Sequence, residues 1–110
     1  MKVVSALTSA REAVSAQPSR PATAMLFDAP DARVVVFRIE PGQEVAPHTS
    51  TSTVLLSVVA GSGTVSGASG ESPVAAGDLV SYDTGELHGM KAATEQLVIA
   101  AIITPRPGAR

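Results

Sequence analysis

Two histidines, His48 and His88, are the residues of this 110-residue chain best suited to chemistry. A neutral imidazole binds a divalent metal through one ring nitrogen, and its pKa near neutrality also lets it move protons. The two lie far apart in sequence, so only the fold can bring them together. The chain has no cysteine, which removes thiolate metal sites, disulfides and cysteine nucleophiles. Gly61-Ser62-Gly63 lacks the following Lys-Ser/Thr of a phosphate loop. Nor is there a Gly-x-Ser-x-Gly nucleophile elbow.

Residues two apart share a face of a β-strand. On that rule Glu44, Ala46, His48 and Ser50 lie on one face, and Glu86, His88 and Met90 on another. Glu44 or Glu86 can then approach a metal from a pocket mouth, or stand as solvated rim carboxylates, because both adjoin turns. Met90 offers a thioether that, with two imidazoles, suits Cu(I), or it fills core space. Ser50 is a poor ligand that can position a water. Tyr82 can donate to a substrate oxygen or pin a strand. Val54, on an apolar run with Leu56 and Val58, lines a pocket and donates nothing.

The elements that must position these groups read as β-structure. Ser9 and Glu12 fit a capping box opening a short helix that ends before Pro18. Strand-like runs follow at Ala24–Phe27, Arg33–Ile39, Val54–Val59, Thr64–Ser66, Pro73–Ala76, Leu79–Tyr82, Leu87–Ala92 and Leu97–Ile103. Gly, Pro and Asp turns separate them, including a hairpin over Gly67–Gly70. About eight short strands at this spacing predict an all-β sandwich or barrel, and a double-sheet jelly roll suits the length. The expected division is an N-terminal segment over 1–20, one folded domain over 21–104 and a flexible tail over 105–110.

Composition narrows the partners. Hydrophobic residues make up 45% and charged residues 16% of the chain, the opposite of a disordered profile. A net charge of −2, with no basic stripe, argues against nucleic acid. The longest apolar run, Leu97–Ile103, has strand length, and no secretory leader pattern opens the chain. We therefore expect a cytoplasmic protein without membrane contact. With only three aromatics, the core must come from Val, Ile, Leu and Ala. The apolar excess points to a homodimer, in which the N-terminal segment wraps the partner.

The glycines around the histidines carry a resemblance. Gly42 precedes His48 and Gly61 closes the following strand; Gly77 and Gly85 precede His88. This layout resembles the two sequence motifs of the cupin family over roughly Ala24 to Ile103, with fifteen residues between Gly61 and Gly77. The resemblance implies a small single-domain cupin β-barrel with a metal or ligand pocket. The departures are specific. The family's second histidine falls on Ser50 and its glutamate on Val54. Its second-motif proline falls on Asp83 and its terminal asparagine on Ala92. Of the usual four metal ligands, His48 and His88 remain.

Two functions follow as expectations. One is weak binding of a divalent transition metal (Fe, Cu, Ni, Mn or Zn) by His48 and His88, with oxygenase- or isomerase-type activity on a small organic molecule. The other is a metal-free small-ligand or sensory module. Ser50, Val54, Tyr82, Glu86 and Met90 are the accompanying pocket candidates. A third reading, with both histidines as hydrogen-bonded core residues, stays open on the sequence.

Overall fold

The longest apolar run of the chain becomes the central strand of its larger sheet. A computed structural model describes residues 1–108. Among them are one helix, α1 (Ala6–Glu12), and nine strands. These are β1 (Ala22–Ala29), β2 (Ala32–Ile39), β3 (Glu44–His48), β4 (Thr53–Ala60) and β5 (Ser62–Gly67). They continue with β6 (Gly70–Ala75), β7 (Leu79–Tyr82), β8 (His88–Ala92) and β9 (Leu97–Thr104). One sheet has the order β1-β2-β9-β4-β7 and the other β3-β8-β5-β6. All pairings are antiparallel. The expected all-β jelly roll is the fold of this chain.

Strand β9 is apolar on both faces because both are covered, as expected of a strand without a solvated side. Leu97, Ile99 and Ala101 point into the core between the sheets, with Ile39, Leu56, Val58, Val65 and Val74. Val98 and Ala100 point the other way, into a second cluster with Val36 beneath Ala10 of α1. Each fully buried Val, Leu or Ile contributes about 1.5–3 kcal/mol, so the first layer holds the two sheets together and the second holds α1 on the larger sheet.

The helix starts earlier than the capping-box pattern predicts. Ser5, not Ser9, is the N-cap, and its Oγ accepts from the Thr8 N–H at 3.1 Å. Starting at Ala6 brings Ala6, Leu7 and Ala10 onto the sheet; a start at Ser9 would leave the first two outside the helix. Arg38 closes the other end, its Nη1 donating to the carbonyls of Ala10, Arg11 and Ala13 at 2.6, 3.1 and 2.9 Å. Glu40 holds Arg38 Nε at 3.2 Å, and Gln96 donates to Glu40 from β9's flank. Within the N-terminal segment, it is α1 that packs on the larger sheet. No helix among the described residues is long and apolar enough to cross a membrane.

Where the sequence predicts a loose tail from residue 105, the first residues are tied down. Ser52 Oγ donates to the Pro105 carbonyl at 2.6 Å, and the Arg106 N–H donates to the Pro30 carbonyl at 3.2 Å. Arg106 also lies 3.7 Å from an Asp28 carboxylate oxygen. Residues 109 and 110 of that tail lie outside the described residues.

Candidate functional site

An irregularity in the edge strand β3 decides which side chains face the interior. Val45 pairs with Met90 and His48 pairs with His88, with a register shift between them. Three steps along β3 therefore oppose two along β8, so β3 carries one extra residue, a β-bulge. Pro47 sits within it, which an edge strand tolerates because no partner needs its missing N–H. The bulge reverses the alternation, so Val45 packs on the core and His48 faces the same way. Glu44 is left on the outer surface, in a groove with Thr64, Glu71 and Lys91. The strand rule that grouped Glu44 with His48 and Ser50 fails for that reason.

The two imidazoles meet with ring centroids 4.2 Å apart and planes tilted by 59°. His88 is buried at 6% exposure, whereas His48 stands at the open side. Both rings are fixed alike. His48 Nδ1 donates to the Ala46 carbonyl at 3.0 Å, and His88 Nδ1 donates to the Glu86 carbonyl at 3.1 Å. A carbonyl only accepts, so each neutral ring carries its hydrogen on Nδ1 and keeps its lone pair on Nε2. Carbonyl-anchored Nδ1 is the arrangement that orients histidine ligands through Nε2.

Beside the rings lies a cavity of about 250 Å³. Its walls are Phe37 of β2, Val54 and Leu56 of β4, Met90 of β8, and Ala101 and Ile103 of β9. His48, Thr49, Ser50, His88 and Pro107 complete the lining. Among the described residues, every polar side chain there comes from the 48–50 segment or is His88, and no Asp, Glu, Lys or Arg contributes. Ser50 Oγ accepts from the Ser52 N–H at 3.1 Å, which leaves its own hydrogen free to donate.

Of the sequence candidates, His48, His88, Ser50, Val54 and Met90 come together here. Glu86 does not join them. Its carboxylate accepts from the backbone N–H of Asp83 at 3.1 Å and of Ala68 at 3.4 Å, bracing the turn before β8. Tyr82 lies behind His88, ring centroids 5.1 Å apart, and its hydroxyl donates to the Ser66 carbonyl at 2.8 Å. It pins β7 to β5 across the two sheets and does not line the cavity. Burial, and secondarily the Glu86 charge, push its phenol above the ordinary 10.0. Among the described residues no group of three or more His, Cys, Asp or Glu side chains is placed to hold one ion. The available donors are two imidazoles, with the Met90 thioether on the same wall.

The strand pattern foretells Val54 and Leu56 of the β4 wall, whereas Val58 of the same run stays in the core, and it misses Phe37, Thr49, Ala101, Ile103 and Pro107. Alternation held the signal for three of them. Phe37 shares a face with Ile39, and Ala101 and Ile103 share one with Ile99.

A family model described as "Cupin domain" matches residues 35–103. Among curated proteins no sequence match was found. The fold resembles that of an uncharacterized conserved protein with a double-stranded beta-helix domain from Klebsiella pneumoniae. The TM-score is 0.82 at 23% identity, covering 100% of this chain and 94% of that one. It also resembles KdgF from a Halomonas species, with TM-score 0.78, 19% identity and coverage of 86% and 88%. A predicted oxalate decarboxylase from Thermotoga maritima matches with TM-score 0.72, 23% identity and coverage of 78% and 81%.

Proposed function

The chain belongs to the cupin family, and from that premise we propose that it binds a small organic molecule beside a divalent transition metal held weakly by His48 and His88. The observation that carries this reading is the pair of carbonyl-anchored rings 4.2 Å apart, each keeping an Nε2 lone pair. The residues fit an ion sparsely. Two imidazoles suit Fe, Cu, Ni, Mn or Zn, and Met90 adds a soft donor that favours copper. The predicted oxalate decarboxylase among the structural relatives supports chemistry on small organic molecules as the class to test, with oxygenase- or isomerase-type reactions foremost.

A bound divalent ion would supply a Lewis acid with positions left open for an oxygen-bearing ligand. The chain's own part is to hold and shape. The Ala46 and Glu86 carbonyls fix the imidazole planes, and Tyr82 backs His88. The Ser50 hydroxyl offers a donor beside the rings, and β2, β4 and β9 supply an apolar wall.

One observation favours a second reading. No carboxylate stands with the imidazoles among the described residues, and an apolar pocket with two imidazoles also serves a metal-free binding module.

Metal analysis of protein purified without a histidine tag, beside the His48→Gln/His88→Gln double variant, decides between them. We expect bound metal in the wild type and its loss in the variant. No uptake after addition of iron, copper, nickel, manganese or zinc salts would leave the metal-free module as the function.

A further inference from the structure

We infer that a metal and a small carboxylate enter this site as a coupled pair, each raising the other's affinity, because the carboxylate becomes a ligand of the ion. This rests on the reading above that His48 and His88 hold a metal, and adds what completes its shell and governs its occupancy.

Position comes first. The two rings lie 4.2 Å apart on the cavity wall, each with Nδ1 held by a backbone carbonyl and Nε2 left as the donor. A tetrahedral zinc ion bound by both imidazoles has two positions left, and a six-coordinate ion has more. The rings line the cavity, so its occupant lies beside any ion they hold. An apolar cavity of about 150 Å³ accommodates benzene, so about 250 Å³ has room for a ring bearing a carboxylate.

Charge comes second. Imidazole is a neutral donor, so a divalent ion on the two rings keeps its full charge beside the apolar side chains of Phe37, Val54, Leu56, Ala101 and Ile103. An ion against apolar surface is strongly disfavoured until a counter-charge pairs with it. A carboxylate supplies that charge and oxygen donors in one group, and the hydroxyls of Thr49 and Ser50 on the same lining can donate to it. Among the described residues, a carboxylate entering alone meets those hydroxyls and two uncharged rings, a weaker setting than a divalent ion. Each partner thus improves the site for the other, and linkage makes the gain reciprocal.

The test is a zinc titration of the full chain against a chromogenic chelator, with and without saturating benzoate, corrected for benzoate–zinc association measured without protein. The reverse titration follows the methyl NMR signals of Val54, Leu56 and Ile103 as benzoate is added to zinc-loaded and zinc-free protein. We expect benzoate to raise zinc affinity at least about tenfold, and zinc to raise benzoate affinity by the same factor. Ala101→Leu, which places a larger side chain in the cavity, should remove both gains; Ile103→Phe serves if that variant does not fold. Equal zinc affinity with and without benzoate would overturn the inference. So would an undiminished gain in a folded cavity-filling variant or in His48→Gln/His88→Gln.

The failures separate. If zinc binds the wild type but not the double variant, and benzoate changes nothing, the coupling falls and the metal reading stands. If zinc binds neither with nor without benzoate, the metal reading falls and takes the coupling with it.

Discussion

Tyr82 is the chain's single tyrosine, so its phenol can be titrated optically without interference. Burial is the main reason its pKa lies above 10.0, and the Glu86 carboxylate adds to it. The folded state therefore keeps this proton to higher pH than the unfolded chain does. Linkage sets the sign: this contribution to stability is whole below pH 10 and is lost as pH rises through the folded value. We expect absorbance at the phenolate band to appear at higher pH in native protein than in denatured protein. Glu86→Gln should lower the native value only part of the way, because burial remains. Tyr82→Phe should cost about 1–2 kcal/mol at neutral pH, from the lost bond to the Ser66 carbonyl, and should flatten the alkaline decline in urea stability. An ordinary phenol titration in the native protein would contradict this account. The same scale shows what sequence could and could not disclose about the site. His48 and His88 were legible because turn glycines flank them at family spacing. The placement of Glu44 was not, since one extra residue beside Pro47 reverses the face of everything before it, and no side-chain pattern announces that residue.

At the scale of elements, two glycines with similar backbone angles should respond very differently to alanine. Gly61 has φ +76°, and a Cβ there would lie 1.8 Å from the Gln96 carbonyl oxygen. Gly77 has φ +96° with nothing within 4 Å of the same position. Gly77→Ala thus carries only the left-handed backbone cost, about 1–2 kcal/mol. Gly61→Ala adds a clash with backbone that cannot rotate away, and should lose at least twice as much or fail to fold; urea denaturation of the pair measures the difference. Equal losses would show that the β4–β5 turn can yield where Gln96 crosses it. Strands and turns of this kind were largely readable, since Gly and Pro punctuate them and apolar runs fill them. Strand β3 was less readable because it is short, edge-located and polar, and only Val45 of it packs on the core. The helix start was displaced because Ser5 and Ser9 are both able caps, and what separates them is whether Ala6 and Leu7 reach the sheet. That is a tertiary fact.

For the whole molecule, the order β1-β2-β9-β4-β7 makes the last strand in sequence the one that joins the sheet. Strand β2 reaches β4 only through β9, which pairs with both along its length. Without it the larger sheet divides into β1-β2 and β4-β7, two hairpin-sized pieces that are marginal alone in water. Leu97, Val98 and Ile99, all fully buried, would leave both hydrophobic clusters together. A chain ending at Gln96 should therefore show no cooperative urea or thermal transition, even though it keeps eight of the nine strands and both histidines. Removing residues 1–20 should act otherwise. It strips α1 from one face and exposes Val36, Val98 and Ala100, but leaves the inter-sheet core and every pairing intact. We expect that variant to unfold cooperatively with stability lower by a few kcal/mol, in line with the apolar area uncovered. Pairing of distant strands also makes folding slow for the chain's size, in the millisecond-to-second range by stopped-flow. A cooperative transition in the chain ending at Gln96 would overturn this picture, because the sheet would then have to close by another strand order.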